Sequence, residues 1–327
     1  MSGRLLLPLV MMLTLAATAC GQAPTDSPAK KPEAKSPAAP AAAPTGAATR
    51  GVEAGPAPRI NAARAMQYVR EIVGMGPRPV GSSGHRKLEE YLLAHLKGDN
   101  VETDEFAATT PAGVFPMRNY IARYPGTKDN VIVIATHYDT IYPMKDFVGA
   151  NDGGSGTGLL LELANQVRGG KRAGPSVWLV WLDGEEAFHK WSATDSVYGS
   201  RHLAEKWQKD GTAKRIKAFI LLDMIGDADL NIERDQNSTP ALLGVVEQAA
   251  TRLGCQSHFF RREIAVEDDH RPFAAAGIPV ADLIDFDYGF GNAFWHTAED
   301  TLDKLNPRSL EIVGNVVLES VRLLGQQ

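Results

Sequence analysis

The chain has 327 residues, with 34 Lys plus Arg against 39 Asp plus Glu and a net charge of −5. Basic and acidic residues are interspersed, so no basic stripe points to nucleic acid as a partner. The two cysteines, Cys20 and Cys255, are too few for a disulfide scaffold.

Residues 1–20 read as a bacterial lipoprotein signal. Arg4 supplies the positive start, residues 5–16 are apolar, and Ala17-Thr18-Ala19-Cys20 has the form of a lipobox. The apolar run is short for a membrane span. On this reading Cys20 is the lipidated N-terminus of an exported protein anchored on the periplasmic side of the cell envelope. Gly21 lacks the inner-membrane retention signal of the Asp type, which favours outer-membrane sorting in a Gram-negative host. An ordinary cleaved secretory signal is the alternative. Residues 21–58, rich in Ala, Pro, Ser, Thr and Lys, are expected to be a disordered tether. Residues 59–327 then form one catalytic domain. Cys255 has no second thiol there and is expected to be buried as a small apolar residue.

In that domain Ala65, Tyr68, Val69 and Ile72 make one stripe of a helix over 61–73. A Gly/Pro/Ser loop over 74–84 leads to a second helix over 86–96. Strands are predicted over 101–107, 117–123 and 131–136, the last apolar enough to be central and covered on both faces. Gly153-Gly154-Ser155-Gly156 launches a helix over 159–167, and 177–182 is the next central strand. A helix over 200–208 precedes a buried strand over 218–222 that ends at Asp223. Then come a helix over 239–253, a helical turn over 272–276, a strand over 280–284 and a closing helix over 308–324. Strands alternating with helices predict a three-layer α/β domain with a mostly parallel central sheet flanked by helices.

Metal-type side chains follow these strands: His137 and Asp139, then Glu185 and Glu186, then Asp223. Asp152 lies in a Gly-rich loop and His296 in a late one. Ligand sites of open α/β sheets lie outside the strand carboxyl ends, so independent strands deliver these residues to one edge. Two glutamates leaving a buried strand are costly unless paired. Zinc chemistry uses both, one as ligand and its neighbour as a free base.

The segments His137-Tyr138-Asp139, Gly149-Ala150-Asn151-Asp152, Asp183-Gly184-Glu185-Glu186, Leu222-Asp223-Met224-Ile225-Gly226, Asp268-Asp269-His270 and Trp295-His296-Thr297 resemble the zinc aminopeptidase-like family. More narrowly, Ala187-Phe188, Trp191, Asp195-Ser196 and 198–204 are similar to its glutaminyl-peptide cyclotransferase branch. The resemblance implies one zinc per chain held by Asp152, Glu186 and His296. It implies Glu185 as general base and acid, with Asp223 and Asp268 as its hydrogen-bonding partners. Trp191 and Trp295 would shape a pocket for peptides or proteins with N-terminal Gln, and His137 and Asp139 would sit behind the metal. It also implies a cis peptide at Asp152-Gly153. The segment 284–294 is longer than in the animal enzymes and lacks their prolines. Phe290 or Phe294 in it is a candidate to face the substrate. Asp282 stands where those enzymes have histidine and receives no role.

The same ligand types, as His137, Asp152, Glu186, Asp223 and His296, would also serve a two-zinc aminopeptidase. Trp191, Asp268, Trp295 and the 187–203 match favour cyclisation. A metal-free, lipid-anchored binding module is the third reading, and retention of every candidate ligand argues against it.

Overall fold

The computed structural model describes residues 59–169 and 172–327. The signal, Cys20 and the tether lie outside the described residues. Asn61 caps α1 (Ala62–Val73) and Ser82 caps α2 (Ser83–His95), each side chain accepting a first-turn N–H. The Ser82 cap starts α2 at Ser83, inside the segment read as loop. The other elements are β1 (Val101–Thr110), β2 (Gly113–Tyr124), β3 (Gly126–His137), α3 (Gly154–Val167), β4 (Arg172–Leu182), α4 (Tyr198–Lys209), β5 (Ile216–Asp223), β6 (Ile232–Asp235), α5 (Pro240–Arg252), β7 (Phe259–Ile264), α6 (His270–Ala275), β8 (Val280–Ile284) and α7 (Pro307–Gln326).

The main sheet has the order β1-β2-β4-β3-β5-β8. Strands β4, β3, β5 and β8 are parallel, and the β1–β2 hairpin extends them antiparallel. The hairpin runs beyond its predicted spans and includes Pro116. β2 meets β4 only from Tyr120 onward, so one edge of the strand is free at Pro116.

Alternate residues of the central strands enter two different cores. Ile132, Ile134, Leu179, Trp181, Ile220 and Leu222 pack with α1, α2, α3, α5 and α7. Val131, Val133, Val180, Phe219 and Leu221 pack with Leu203 and Trp207 of α4 and Phe273 of α6. Both faces are thus covered, which is why these strands read as unbroken apolar runs.

Strands β6 and β7 form a small separate parallel sheet that sequence patterning does not reveal. Ile232 is the only apolar residue of β6, so no alternation marks it. Cys255 is half-buried rather than buried, its Sγ 3.5 Å from the Ala250 carbonyl oxygen. Among the described residues no helix is long and apolar enough to cross a membrane.

Candidate active site

The carboxyl ends of the parallel strands carry the site. β3 ends on His137 and β5 on Asp223, while β4 runs into Asp183-Gly184-Glu185-Glu186. Asp139 accepts the N–H groups of Glu185 at 3.0 Å and Glu186 at 3.3 Å, which fixes the turn from one side. Asp183 fixes it from the other: its carboxylate lies 2.7 Å from His85 Nε2 and accepts the Arg118 N–H at 2.8 Å. Gly184 has φ +66°, and a Cβ there would meet Met117 Sδ at 2.6 Å. The turn therefore requires glycine.

Asp152 is positioned by groups the sequence did not single out. Asp300 accepts the N–H groups of Asn151 at 2.8 Å and Asp152 at 3.1 Å, and the Tyr288 hydroxyl at 2.7 Å. Fully buried Arg78 donates to the carbonyls of Val148 at 2.6 Å and Gly149 at 2.9 Å. Burial lowers the Arg78 pKa to about 10, against the pull of Asp300 and Asp152. It brings a cation close to an acid-rich centre. No periodicity marks Arg78, Tyr288 or Asp300, because each lies in a loop. The expected cis bond at Asp152-Gly153 is not found. That peptide is trans, and the cis bond among the described residues is Tyr142-Pro143. The sharp bend comes instead from left-handed Gly149 and Gly153, at φ +52° and +76°.

Asp152 stands between two imidazoles. Its Oδ1 is 3.3 Å from His137 Nε2 and its Oδ2 is 3.3 Å from His296 Nε2. His296 Nε2 is also 3.3 Å from Glu186 Oε1, and His137 Nε2 is 3.1 Å from Asp223 Oδ1. One donor atom each from Asp152, Glu186 and His296 falls within 4.8 Å of the others, and the same holds for His137, Asp152 and Asp223. Both Glu186 carboxylate oxygens are buried; Oε2 has no hydrogen-bond partner, and Oε1 has only the 3.3 Å approach of His296 Nε2. A buried carboxylate left unpartnered is costly, and a cation among these oxygen and nitrogen donors would satisfy it. The residues fit a divalent metal.

The electrostatics agree. Burial and the neighbouring Asp152 push Glu186 up to about 7. Burial drives Glu185 well above the carboxylate range; His137 opposes this, and Glu186 and Asp268 reinforce it. Asp268 rises to about 7 through burial and Asp223. Burial lowers His296, but Glu186 and Asp152 outweigh it and hold the imidazole at about 10. These four shifts retain protons where positive charge is short, whereas Asp152, despite its burial, is held below the usual carboxylate range by His137 and His296. Met224 and His296 are left-handed, at φ +51° and +52°. Such backbone costs on the order of 1–3 kcal/mol and clusters at functional sites.

A cleft of about 540 Å³ opens onto this centre. Asp152, Glu185, Asp223, Asp268 and His296 line its polar part, and Trp191, Trp295, Phe286, Ile264 and Val266 its apolar part. All eight predicted site residues are therefore brought together, with Glu186 buried at the centre. Trp295 stacks on His296 with ring centroids 4.0 Å apart and meets Phe286 edge-on at 4.9 Å. Trp191, 37% exposed, lies on a loop held by Asp195, which accepts the N–H groups of Phe188, His189 and Lys190 at 2.9 Å each.

Phe290 and Phe294 do not line the cleft. Phe290 is fully solvent-exposed, and Phe294 packs on Tyr288 beneath Lys304. Phe286 takes the wall position, beside Ile264 and Val266 from the unforeseen strand β7 and its exit. Asp282, given no role, belongs to a separate buried group. His270 lies between it and Asp235, with ring nitrogens 3.4 and 3.2 Å from the two carboxylates.

Beside Phe286, buried Asp285 accepts the Asn231 N–H at 2.8 Å. Burial, reinforced by Asp227 and opposed by that N–H, raises its carboxyl to about 7. An acid raised on folding contributes stability that is complete below its unfolded value of about 3.9. That contribution is lost as pH rises through about 7. Asp285→Asn, a stand-in for the protonated acid, should therefore lie nearest wild type in Tm at acidic pH and gain on it as pH rises to ~8. A gap in thermal unfolding that is constant across this range would refute the assignment.

Fold and donor cluster together define an α/β domain of the zinc-exopeptidase type. Residues 119–321 match Peptidase family M28. The Glutaminyl-peptide cyclotransferase of Drosophila melanogaster is 31% identical over 252 residues, covering 68% of this chain and 70% of that protein. The crystal structure of Acidobacteriales bacterium glutaminyl cyclase superposes with a TM-score of 0.82 at 53% identity, covering 86% of this chain and 99% of that one. A Zn-dependent exopeptidase from Parabacteroides distasonis gives 0.72 at 26% identity, over 81% and 99% of the two chains. The chain belongs to peptidase family M28, in its glutaminyl-peptide cyclotransferase branch.

Proposed function

We propose that this chain converts the N-terminal Gln of peptides or proteins to pyroglutamate with release of ammonia. The observation that carries this reading is the 53% identity to a solved glutaminyl cyclase across 86% of the chain. We assign Asp152, Glu186 and His296 as ligands of a single zinc, with their mutual proximity and the unpartnered Glu186 Oε2 as the supporting geometry. When bound, zinc would supply Lewis-acid polarisation of the substrate γ-carbonyl.

The chain's own residues do the rest. The acid-rich end of the cleft attracts the substrate α-ammonium. The ammonium first releases a proton to solvent; the neutral amine then attacks the γ-carbon, Glu185 takes one proton from it as the new C–N bond forms, and the C–N bond to the carboxamide nitrogen breaks. Glu185 returns the proton to the departing ammonia. Burial, with Glu186 and with Asp268 on the same cleft wall, keeps Glu185 in an environment where gaining a proton is cheap, and Asp223 acts in turn on Asp268. Trp191 and Trp295 fold the Gln side chain back on itself and exclude competing water, so orientation supplies much of the rate. In the same reading, residues 1–20 are a lipoprotein signal, Cys20 the lipid anchor and 21–58 a tether for the catalytic domain at 59–327.

The test is a Gln-initiated dipeptide incubated with purified protein, with product mass, ammonia and zinc measured on one sample. A product lighter by one ammonia, with one zinc per chain, is expected. Free N-terminal residues with nearer two zincs would mean an aminopeptidase. No product and no zinc would mean a binding module. Trp191→Ala should raise KM for Gln substrates at unchanged zinc content; unaltered kinetics would remove Trp191 from the pocket.

A further inference from the structure

A second groove, of about 490 Å³, adjoins the cleft and shares Trp191, Glu267 and Asp268 with it. Its charge is mixed, where that of the cleft is acidic. The cleft presents the carboxylates of Asp152, Glu185, Asp223, Glu267 and Asp268 with no arginine or lysine, whereas the groove adds the guanidiniums of Arg201 and Arg271 to the shared Glu267 and Asp268. Arg271 is paired with Glu267 at 3.2 Å, and that glutamate side chain is 64% exposed. Arg201 meets only neutral groups among the described residues. Its guanidinium donates to the carbonyls of Ser196 at 3.1 Å and Thr194 at 3.4 Å and lies 4.8 Å over the Tyr198 ring. These contacts orient Arg201 and leave it without an ion-pair partner among the described residues, with Asp268 across the groove.

A peptide bound by its N-terminal residue must leave the cleft over a rim, and the Trp191–Asp268 border opens into this groove. An extended chain advances about 3.3 Å per residue, so the next two residues fall within its reach. We propose that the groove holds the residues following the N-terminal Gln and that Arg201 and Arg271 select an acidic side chain among the first two. This rests on the cyclotransferase reading and names its substrate class: peptides beginning with Gln and carrying Asp or Glu at position two or three.

The test compares Gln-Ala-Ala, Gln-Glu-Ala, Gln-Ala-Glu and Gln-Lys-Ala, each with an amidated C-terminus. Exposed ion pairs are worth up to about fivefold, so an acidic peptide should be favoured over the neutral one by about threefold in kcat/KM. The difference should lie in KM and shrink with added salt. The lysine peptide should be disfavoured. In the double variant Arg201→Ala, Arg271→Ala the acidic-to-neutral ratio should fall to about one, and Arg201→Lys should retain part of it. Because Arg201 also braces the Trp191 loop, the ratio is the readout rather than the absolute rate. Equal kcat/KM for acidic and neutral peptides in wild type, or an unchanged ratio in the double variant, overturns the proposal. Calorimetric Kd values should show the same preference and decide the groove separately. Acid-selective binding without pyroglutamate would support the groove while refuting the cyclotransferase reading.

Discussion

Glu185→Gln should retain zinc and lose turnover by about 10³-fold, within the range that positioned acid–base groups supply. The substitution preserves shape, so the backbone N–H that Asp139 accepts from residue 185 is undisturbed. What disappears is the proton acceptor. Glu185 faces the cleft, is nearly buried, and is held well above the carboxylate range by burial, with Glu186 and Asp268 adding to it. Such a group accepts a proton readily, and an amide in its place cannot. Ammonia release measured beside metal analysis checks the expectation. Turnover within tenfold of wild type would exclude Glu185 as the base.

His296→Ala should instead lose the zinc itself, and activity with it. The imidazole is the only nitrogen donor in its group with Asp152 and Glu186, 3.3 Å from each carboxylate. Without it the two remaining carboxylates repel one another at close range, and Glu186 is already raised to about 7 by burial and Asp152. Zinc must displace the proton that the metal-free cluster holds on His296, whose pKa is about 10. Zinc retention in wild type should therefore weaken as pH falls. Dialysis followed by metal analysis gives the comparison. Equal zinc loss in Glu185→Gln and His296→Ala would mean that base and ligand have been wrongly distinguished.

The contrast between these variants concerns adjacent residues, Glu185 and Glu186, that composition cannot tell apart. The turn at Gly184 separates them, leaving Glu185 in the cleft wall and Glu186 buried among the donors. The resemblance to the cyclotransferase branch implied that division of roles; periodicity alone offered no basis for it. The lipoprotein signal and tether stand on sequence reading alone, as residues 1–58 lie outside the described structure.

The sequence by itself determined the central strands and the polar residues at their ends, because apolar runs, glycine breaks and strand exits are local signals. His137, Glu185, Glu186 and Asp223 are legible for that reason. Only the tertiary structure decided what surrounds them. Asp300, Tyr288 and Arg78 hold the Asp152 loop from distant parts of the chain. Phe286, Ile264 and Val266, rather than Phe290 or Phe294, form the apolar wall. Left-handed glycines, rather than a cis peptide, make the bend at Asp152. The physical reason is common to all three. A buried loop must satisfy its N–H groups and charges with whatever the fold brings near, and no local periodicity records which distant residue that will be.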